Sequence, residues 1–191
     1  MDILGKLFGG TEKIKVMRLF VLNPETVFDA KTVAKRSKIS PLAARRETVR
    51  FRQFGLIKKA AGKKPRGWQL NPSFPFLNNL RGLLRVDLLA RQREITDRFA
   101  HCGKIKLLII AGLFIQTDDS RADLLLVGDK LKRGAIERVI KMIEAEVGRE
   151  LVYAAFDTAD FLYRLNAYDK FIRDILDYPH EKIIDRLGLD K

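Results

Sequence analysis

The residues with the clearest chemical meaning in this sequence are basic, and they are concentrated in one part of the chain. Residues 31–66 contain 13 lysines and arginines and a single acid, Glu47. A surface that serves only solubility normally mixes charges of both signs. A cluster of one sign is typical of proteins that bind nucleic acids, because Lys and Arg neutralise backbone phosphates.

The same residues divide the chain by charge. Residues 1–100 carry 22 Lys and Arg against 8 Asp and Glu, a net charge of +14, whereas residues 101–191 carry 15 against 16, a net of −1. This asymmetry predicts one part that binds a polyanion and a second part with a different role.

Candidates for catalysis or metal binding are fewer. Asp118, Asp119 and Asp129 flank an apolar run, and we interpret them as solvated loop acids. His101 and Cys102 are adjacent, but a zinc site needs four suitably spaced ligands. The sequence contains no nucleophile–base set and no glycine-rich phosphate loop. We therefore expect no catalytic residue, no metal and no cofactor.

Two consecutive short helices position much of the basic cluster. The first is predicted over 30–37, with Asp29 as its N-cap. The second begins with Ser40 as N-cap and Pro41 at the first helical position, and Gly55 ends it. Because only a short turn separates them, the pair predicts a helix-turn-helix.

The neighbouring elements complete a larger pattern. They are a helix ending before Pro24, a β-prone segment at 26–28, and strand-like segments at 56–60 and 67–70 around a basic tip at 61–66. Helix, strand, helix, turn, helix and basic hairpin together predict a winged helix-turn-helix over residues 1–75, mostly helical with a β-hairpin wing. Trp68, on the wing, is expected to pack against the helices.

The second helix of the pair is predicted to contact DNA. Ala44, Thr48 and Phe51 form a buried stripe, and Ala43 falls on the adjoining exposed face. Arginine binds guanine O6 and N7 in a bidentate manner or contacts phosphates, and the hairpin residues suit phosphates. The predicted contacts to double-stranded DNA are Arg45, Arg46, Arg50, Gln53, Lys58, Lys59, Lys63, Lys64 and Arg66.

The remaining chain predicts a helical connector over 76–103 and a mixed α/β domain over 104–191. The connector contains helices at 76–84 and 86–99. The domain contains strands at 106–115, 122–127 and 151–156, and helices at 132–147, 158–165 and 168–176. The whole chain is therefore of the α+β, or mixed α/β, class.

Two runs in the neutral part match a known motif. They are Gly112, Leu113 and Phe114, followed by Ser120, Arg121, Ala122, Asp123, Leu124, Leu125, Leu126, Val127, Gly128 and Asp129. This segment resembles the core of the minimal nucleotidyltransferases, relatives of polymerase β. Residues 148–151 and 161–176 match how such domains continue. Over nearly its full length, the chain resembles bacterial or archaeal proteins in which a winged helix precedes this domain.

This sequence departs from that family at the residues that carry the family's chemistry. The resemblance implies two Asp at positions i and i+2 of one strand, which hold divalent metals against nucleotide phosphates. Here Arg121 occupies the first position and Asp123 the second, and Leu113 replaces the family's Ser after Gly112. A guanidinium cannot coordinate a metal, so the resemblance implies a degenerate, inactive domain. We expect Arg121 to form an ion pair with Asp119 or Asp123.

The sequence favours a cytoplasmic DNA-binding protein, a transcriptional regulator whose second domain serves dimerisation, docking or ligand sensing. An active nucleotidyltransferase that modifies RNA or protein is one alternative, and an antitoxin-like partner-binding module is another. The single cysteine, Cys102, excludes an intramolecular disulfide and favours a reducing compartment. Candidate partners are double-stranded DNA, a second copy of the chain, and a nucleotide or protein at the second domain, with no membrane.

Overall fold

The fold mixes α-helices and β-strands in two compact units. The computed structural model describes residues 3–61, 67–90, 92–115, 117 and 120–189, without the side chains of 85–90, 92, 93 and 95. The first unit takes in Met1–Asp87 and Lys141–Glu150, and the second takes in Leu88–Ile140 and Leu151–Lys191. The mixed fold class predicted from the sequence is confirmed.

The first part of the chain contains five helices and a two-stranded ribbon among its described residues. In chain order they are α1 (Ile3–Leu7), α2 (Thr11–Val21), α3 (Ala30–Ser37), α4 (Pro41–Gln53), β1 (Ile57–Lys59), β2 (Trp68–Leu70) and α5 (Leu77–Ala90). The strands β1 and β2 are antiparallel, with Ile57 opposite Leu70.

Local signals in the sequence determine where α3 and α4 begin and end. Asp29 caps α3 by accepting a hydrogen bond of 2.7 Å from the Thr32 N–H. The Ser40 hydroxyl caps α4 by accepting a bond of 3.1 Å from the Ala43 N–H. Gly55 follows α4 with a φ of 77°, a left-handed conformation that glycine adopts without a steric penalty. The predicted bounds of both helices are confirmed.

A third backbone segment pairs with the ribbon. Phe28 and Trp68 form an isolated antiparallel bridge, in which each N–H donates to the other residue's carbonyl at 2.9 and 2.8 Å. The β-prone segment predicted at 26–28 therefore contributes one bridge. Phe28 is buried against Phe20 in an edge-to-face contact, and Trp68 packs on the same core, as predicted.

The second part of the chain is built around a four-stranded sheet. Its elements are α6 (Gln92–Arg98), β3 (Lys104–Ile110), β4 (Leu124–Asp129), α7 (Arg133–Val147), β5 (Tyr153–Asp157), α8 (Thr158–Asn166), α9 (Lys170–Asp177) and β6 (Glu181–Asp185). The strand order is β5-β4-β3-β6, in which only β4 and β5 run parallel. Leu107 and Leu125, on neighbouring strands, pack with Phe161 of α8 and Ile172 of α9.

Several predicted bounds of strands and helices are wrong. The strand predicted over 106–115 ends at Ile110, because Gly112 takes a φ of 49° and begins a 3₁₀ turn, Gly112–Phe114. The strand predicted from residue 122 begins at Leu124. The break predicted near residue 85 is also absent, since α5 continues to Ala90.

The edge strand β6 was not predicted. Its sequence places charged residues at three of five positions, which masks the apolar pattern of a strand. Edge strands often carry such charges, because charge discourages pairing with another chain.

Candidate nucleic-acid interface and the motif residues

The helix α4 is held to the first unit by the predicted apolar stripe. Ala44, Thr48 and Phe51 are all buried. The Thr48 hydroxyl donates a hydrogen bond of 2.7 Å to the Ala44 carbonyl, so its polar group is satisfied inside the helix. The opposite face of α4 is therefore the face available to a partner.

The buried face of α4 takes in two residues beyond the predicted stripe, and at one of them the sequence prediction is wrong. Ala43, predicted on the exposed face, is buried at 3% exposure. Glu47, the single acid of the basic cluster, is also buried, at 1%. The buried face is therefore wider than the predicted stripe, because Ala43 and Glu47, four residues apart, adjoin Ala44, Thr48 and Phe51 on the helix surface.

Glu47 binds two of the predicted DNA-contacting arginines. Its Oε1 atom accepts a hydrogen bond of 2.8 Å from Arg46 Nε and another of 3.1 Å from Arg50 Nη1. Arg46 also pairs with Glu12 of α2, at 2.9 Å. The hydrogen bond that Arg46 donates to Glu47, with the charges of both acids, raises the pKa of Arg46 above its ordinary value. Both arginine side chains are about half exposed, and their hydrogen bonds to Glu47 hold the guanidinium groups in place.

The centre of the outward face of α4 is partly apolar. Leu42 is 75% exposed and Val49 45% exposed. Arg45 and Gln53 are exposed on the same side. The sequence prediction omitted Leu42 and Val49, although their spacing of seven residues places them on one face of a helix.

The ribbon presents two of its predicted basic residues. Lys58 and Lys59 lie on β1 and are both exposed. Beside the ribbon, the Arg52 guanidinium lies 5.4 Å from the centroid of the Trp68 ring, a cation–π distance. The remaining predicted contacts, Lys63, Lys64 and Arg66, lie outside the described residues.

In the second unit, the carboxylate of Asp123 joins two neighbouring backbone segments. Its Oδ1 accepts a bond of 2.8 Å from the Leu113 N–H, and its Oδ2 accepts one of 2.9 Å from the Val152 N–H. Gly112 lies so close that an added Cβ would overlap the Asp123 carboxylate. Glycine at 112 and aspartate at 123 are therefore structurally coupled.

Arg121 forms an ion pair with a residue that the sequence did not indicate. Its Nε donates to Asp174 Oδ2 of α9 at 3.0 Å. Asp123 accepts from Leu113 and Val152 instead, and Asp119 lies outside the described residues. The Arg121 side chain remains more than half exposed.

The other acids and the cysteine of this part have local roles. Asp129 pairs with Lys106 at 2.9 Å, and the bond from that lysine lowers the pKa of Asp129. Asp157 occupies the N-cap position of α8. Burial raises the pKa of the Cys102 thiol. Within the part of the chain that the structure describes, no group of three or more His, Cys, Asp or Glu is placed to hold a metal ion.

No family model matches the chain. No curated protein and no solved structure matches it either. The likeness to nucleotidyltransferases therefore stays a prediction from the motif residues. Among the described helices, none has both the length and the apolar character that crossing a membrane requires.

Proposed function

We propose that this chain is a DNA-binding transcriptional regulator whose first unit is a winged helix-turn-helix. The observation that carries the proposal is the two-sided character of α4. One face is anchored by Ala44, Thr48 and Phe51, and the other presents arginines. The short turn after α3 and the ribbon with its Phe28 bridge are the neighbours such a domain requires.

In this proposal, α4 enters the major groove, which is wide enough for a helix. Arg45 and Gln53 then reach base edges, where arginine suits guanine and glutamine suits adenine. Leu42 and Val49 lie between them on the outward face and are suited to contact thymine methyl groups. The helix therefore offers both polar and apolar base readout.

Arg46 and Arg50 have a different role from Arg45. Because Glu47 binds both guanidinium groups, their remaining N–H donors are oriented before DNA arrives. Pre-oriented arginines suit the fixed spacing of backbone phosphates, and less side-chain entropy is lost on binding. Lys58 and Lys59 supply further phosphate contacts from β1.

For the second unit, we propose a nucleotidyltransferase-like domain that does not catalyse transfer and serves dimerisation, docking or sensing. Three contacts support this proposal. Asp123, the second family carboxylate, accepts backbone hydrogen bonds from two segments, and Arg121, at the first position, pairs with Asp174. A carboxylate engaged in this way has fewer lone pairs to offer a metal.

The test measures DNA binding by the full chain. We expect a fluorescently labelled mixed-sequence duplex to bind with a dissociation constant that rises steeply with salt. Lys58→Ala should weaken binding to all sequences and reduce the salt slope by about 1. Arg45→Ala should cost about 1–3 kcal/mol at a selected site and relax specificity there.

The matched control is Lys170→Ala, which removes the same charge from an exposed position on α9 of the second unit. It should leave both affinity and salt slope unchanged. The DNA-binding proposal fails if wild-type protein does not shift the duplex in an electrophoretic assay. It also fails if Lys170→Ala and Lys58→Ala have the same effect.

A further inference from the structure

An apolar pocket opens on the first unit beside α4. Its volume is about 360 Å³. Its lining comes from the residue after α1, from α2, from the C-terminal end of α4 and from the segment that leads into α5, and it includes Phe8, Phe51, Phe54, Phe74, Phe76 and Leu80. Pockets for small ligands begin at about 300 Å³ and are mostly apolar, with a few polar groups that orient the ligand.

The lining is unusually rich in aromatic rings. Five of the twelve phenylalanines of the chain contribute to it. Phe54 and Phe76 are 67% and 65% exposed, although large aromatic side chains gain most when buried. Phe74 and Phe76 already pack edge to face, with centroids 6.0 Å apart. Rings arranged in this way favour a flat, aromatic guest.

One charged residue, Lys13, stands among these described lining residues. Its ammonium donates a hydrogen bond of 2.7 Å to the Phe8 carbonyl, which holds it beside the pocket. An ammonium group has three donors, and this bond uses one. A cation at the edge of an apolar surface favours a ligand that joins an apolar body to an acidic group, since an anion beside it is stabilised.

We propose that this pocket binds a small aromatic acid, with its rings among the phenylalanines and its carboxylate or sulfonate beside Lys13. The volume limits the ligand to one or a few rings. Phe51 belongs to α4 and Phe54 is its C-cap residue, so an occupied pocket changes the contacts at the end of that helix. The resulting effect on DNA binding rests on the proposed function, whereas ligand binding itself does not.

The experiment titrates the full chain with 8-anilinonaphthalene-1-sulfonate, a fluorescent aromatic acid, and with uncharged N-phenyl-1-naphthylamine. Leu80→Trp fills the pocket and should abolish the fluorescence increase with both probes. Phe54→Ala removes an exposed ring without disturbing the core, and it should weaken both probes. It serves as the second variant if Leu80→Trp does not fold.

Lys13→Met keeps the side-chain length but removes the charge. It should weaken the sulfonate probe about threefold, as expected for a partly exposed ion pair, and leave the uncharged probe unchanged. Lys13→Arg should restore the sulfonate affinity. The matched control is Lys15→Met, on the same helix but away from the pocket lining. Each variant is checked for a cooperative melting transition, because loosely folded states also bind this probe.

Several outcomes overturn the proposal. It fails if the sulfonate probe does not bind, or binds equally to wild type and to folded pocket variants. Equal effects of Lys13→Met and Lys15→Met on the sulfonate probe would contradict the proposed contact between Lys13 and an acidic group of the ligand. If the probe competes with self-association of the chain, the occupant is a second copy. Duplex binding measured with and without the probe is a separate arm, so loss of DNA binding alone leaves the pocket proposal standing.

Discussion

At the scale of a single residue, Glu47 shows that a count of charges in the sequence does not reveal where each charged side chain lies or what it binds. It is the one acid among residues 31–66, and it is buried while it binds Arg46 and Arg50. Its Oε2 atom is buried and accepts no hydrogen bond from the described residues. A half-satisfied buried carboxylate lowers stability. Its position between two arginines is consistent with a role in orienting them.

Asp123 permits a direct test of whether the motif is structural. Asp123→Ala removes the acceptor of the Leu113 and Val152 N–H groups. Bonds to charged groups contribute about 1.5–3 kcal/mol each, and less where solvent reaches them. The bond from Leu113 is partly buried and the bond from Val152 is exposed, so we expect a total loss of about 2–3 kcal/mol in the free energy of unfolding. Urea denaturation followed by circular dichroism measures it.

The control for that prediction is Asp177→Asn, since the Asp177 carboxylate is exposed and pairs with Arg173 at 3.5 Å. Its effect should stay within about 0.5 kcal/mol. Unchanged or increased stability of Asp123→Ala would contradict the structural role. Transfer of label from a nucleoside triphosphate with Mg²⁺ or Mn²⁺ that disappears in Asp123→Ala would show that the carboxylate is catalytic.

At the scale of elements, local sequence signals determine the ends of α4, whereas tertiary packing determines which of its faces is exposed. Asp29, Ser40, Pro41 and Gly55 determine the ends of α3 and α4, and each of these signals lies within a few residues of its effect. Which residues of α4 point outward depends on packing against the first unit. That packing brings Leu42 and Val49 to the centre of the exposed face.

The apolar part of this face predicts a dependence on thymine methyl groups. In a site selected from random duplexes, replacement of a contacted thymine by deoxyuracil removes one methyl group and nothing else. Burying a methyl group contributes about 0.8 kcal/mol, so wild-type affinity should fall about fourfold per contacted thymine. Fluorescence anisotropy measures the change.

Replacement of thymine by deoxyuracil also tests whether Leu42 and Val49 make the contact with the methyl group. In the Leu42→Ala or Val49→Ala variant, the uracil-containing and thymine-containing sites should bind more equally. Tyr163→Ala, an exposed side chain on α8, is the control and should retain the full fourfold difference. Equal binding of both duplexes by wild type would exclude thymine readout by α4.

At the scale of the whole molecule, the end of α7 belongs to the first unit. Arg18, buried on α2, donates a bond of 2.8 Å to the Glu146 carbonyl, and Asn23 donates one of 2.7 Å to the Gly148 carbonyl. Arg36 of α3 pairs with Glu150. The segment Lys141–Glu150 is therefore part of the unit that we propose binds DNA.

Gly148 tests how strongly that segment is required. Its φ is 76°, and an added Cβ would lie 2.6 Å from the Arg18 carbonyl carbon and from the Leu19 nitrogen. Gly148→Ala combines a left-handed alanine with a clash against backbone, so we expect a loss of about 2–4 kcal/mol in unfolding free energy. The single tryptophan, Trp68, lies in the first unit and reports its unfolding by fluorescence.

Gly134, near the start of α7, provides the matched control for Gly148, which follows the end of that helix. An added Cβ there approaches only the flexible end of Arg138, at 3.7 Å. Gly134→Ala should therefore stabilise α7 by up to about 1 kcal/mol, because alanine has the higher helix propensity. If Gly148→Ala unfolds at the same urea concentration as wild type, the contact between α2 and the end of α7 does not stabilise the first unit.

The sequence by itself determined the features that depend on near neighbours. The ends of α3 and α4, the amphipathic α7 and the concentration of charge in residues 31–66 are all readable from spacing and composition. The contact residues on the hairpin remain predictions, since part of the tip is not described.

Only the tertiary structure decided the features that join distant parts of the chain. These are the burial of Glu47, the partners of Asp123 and Arg121, the phenylalanine pocket, and the return of Lys141–Glu150 to the first unit. Local pattern limits which residues form a helix or strand. It cannot specify which surfaces meet, because that depends on packing among segments far apart in sequence.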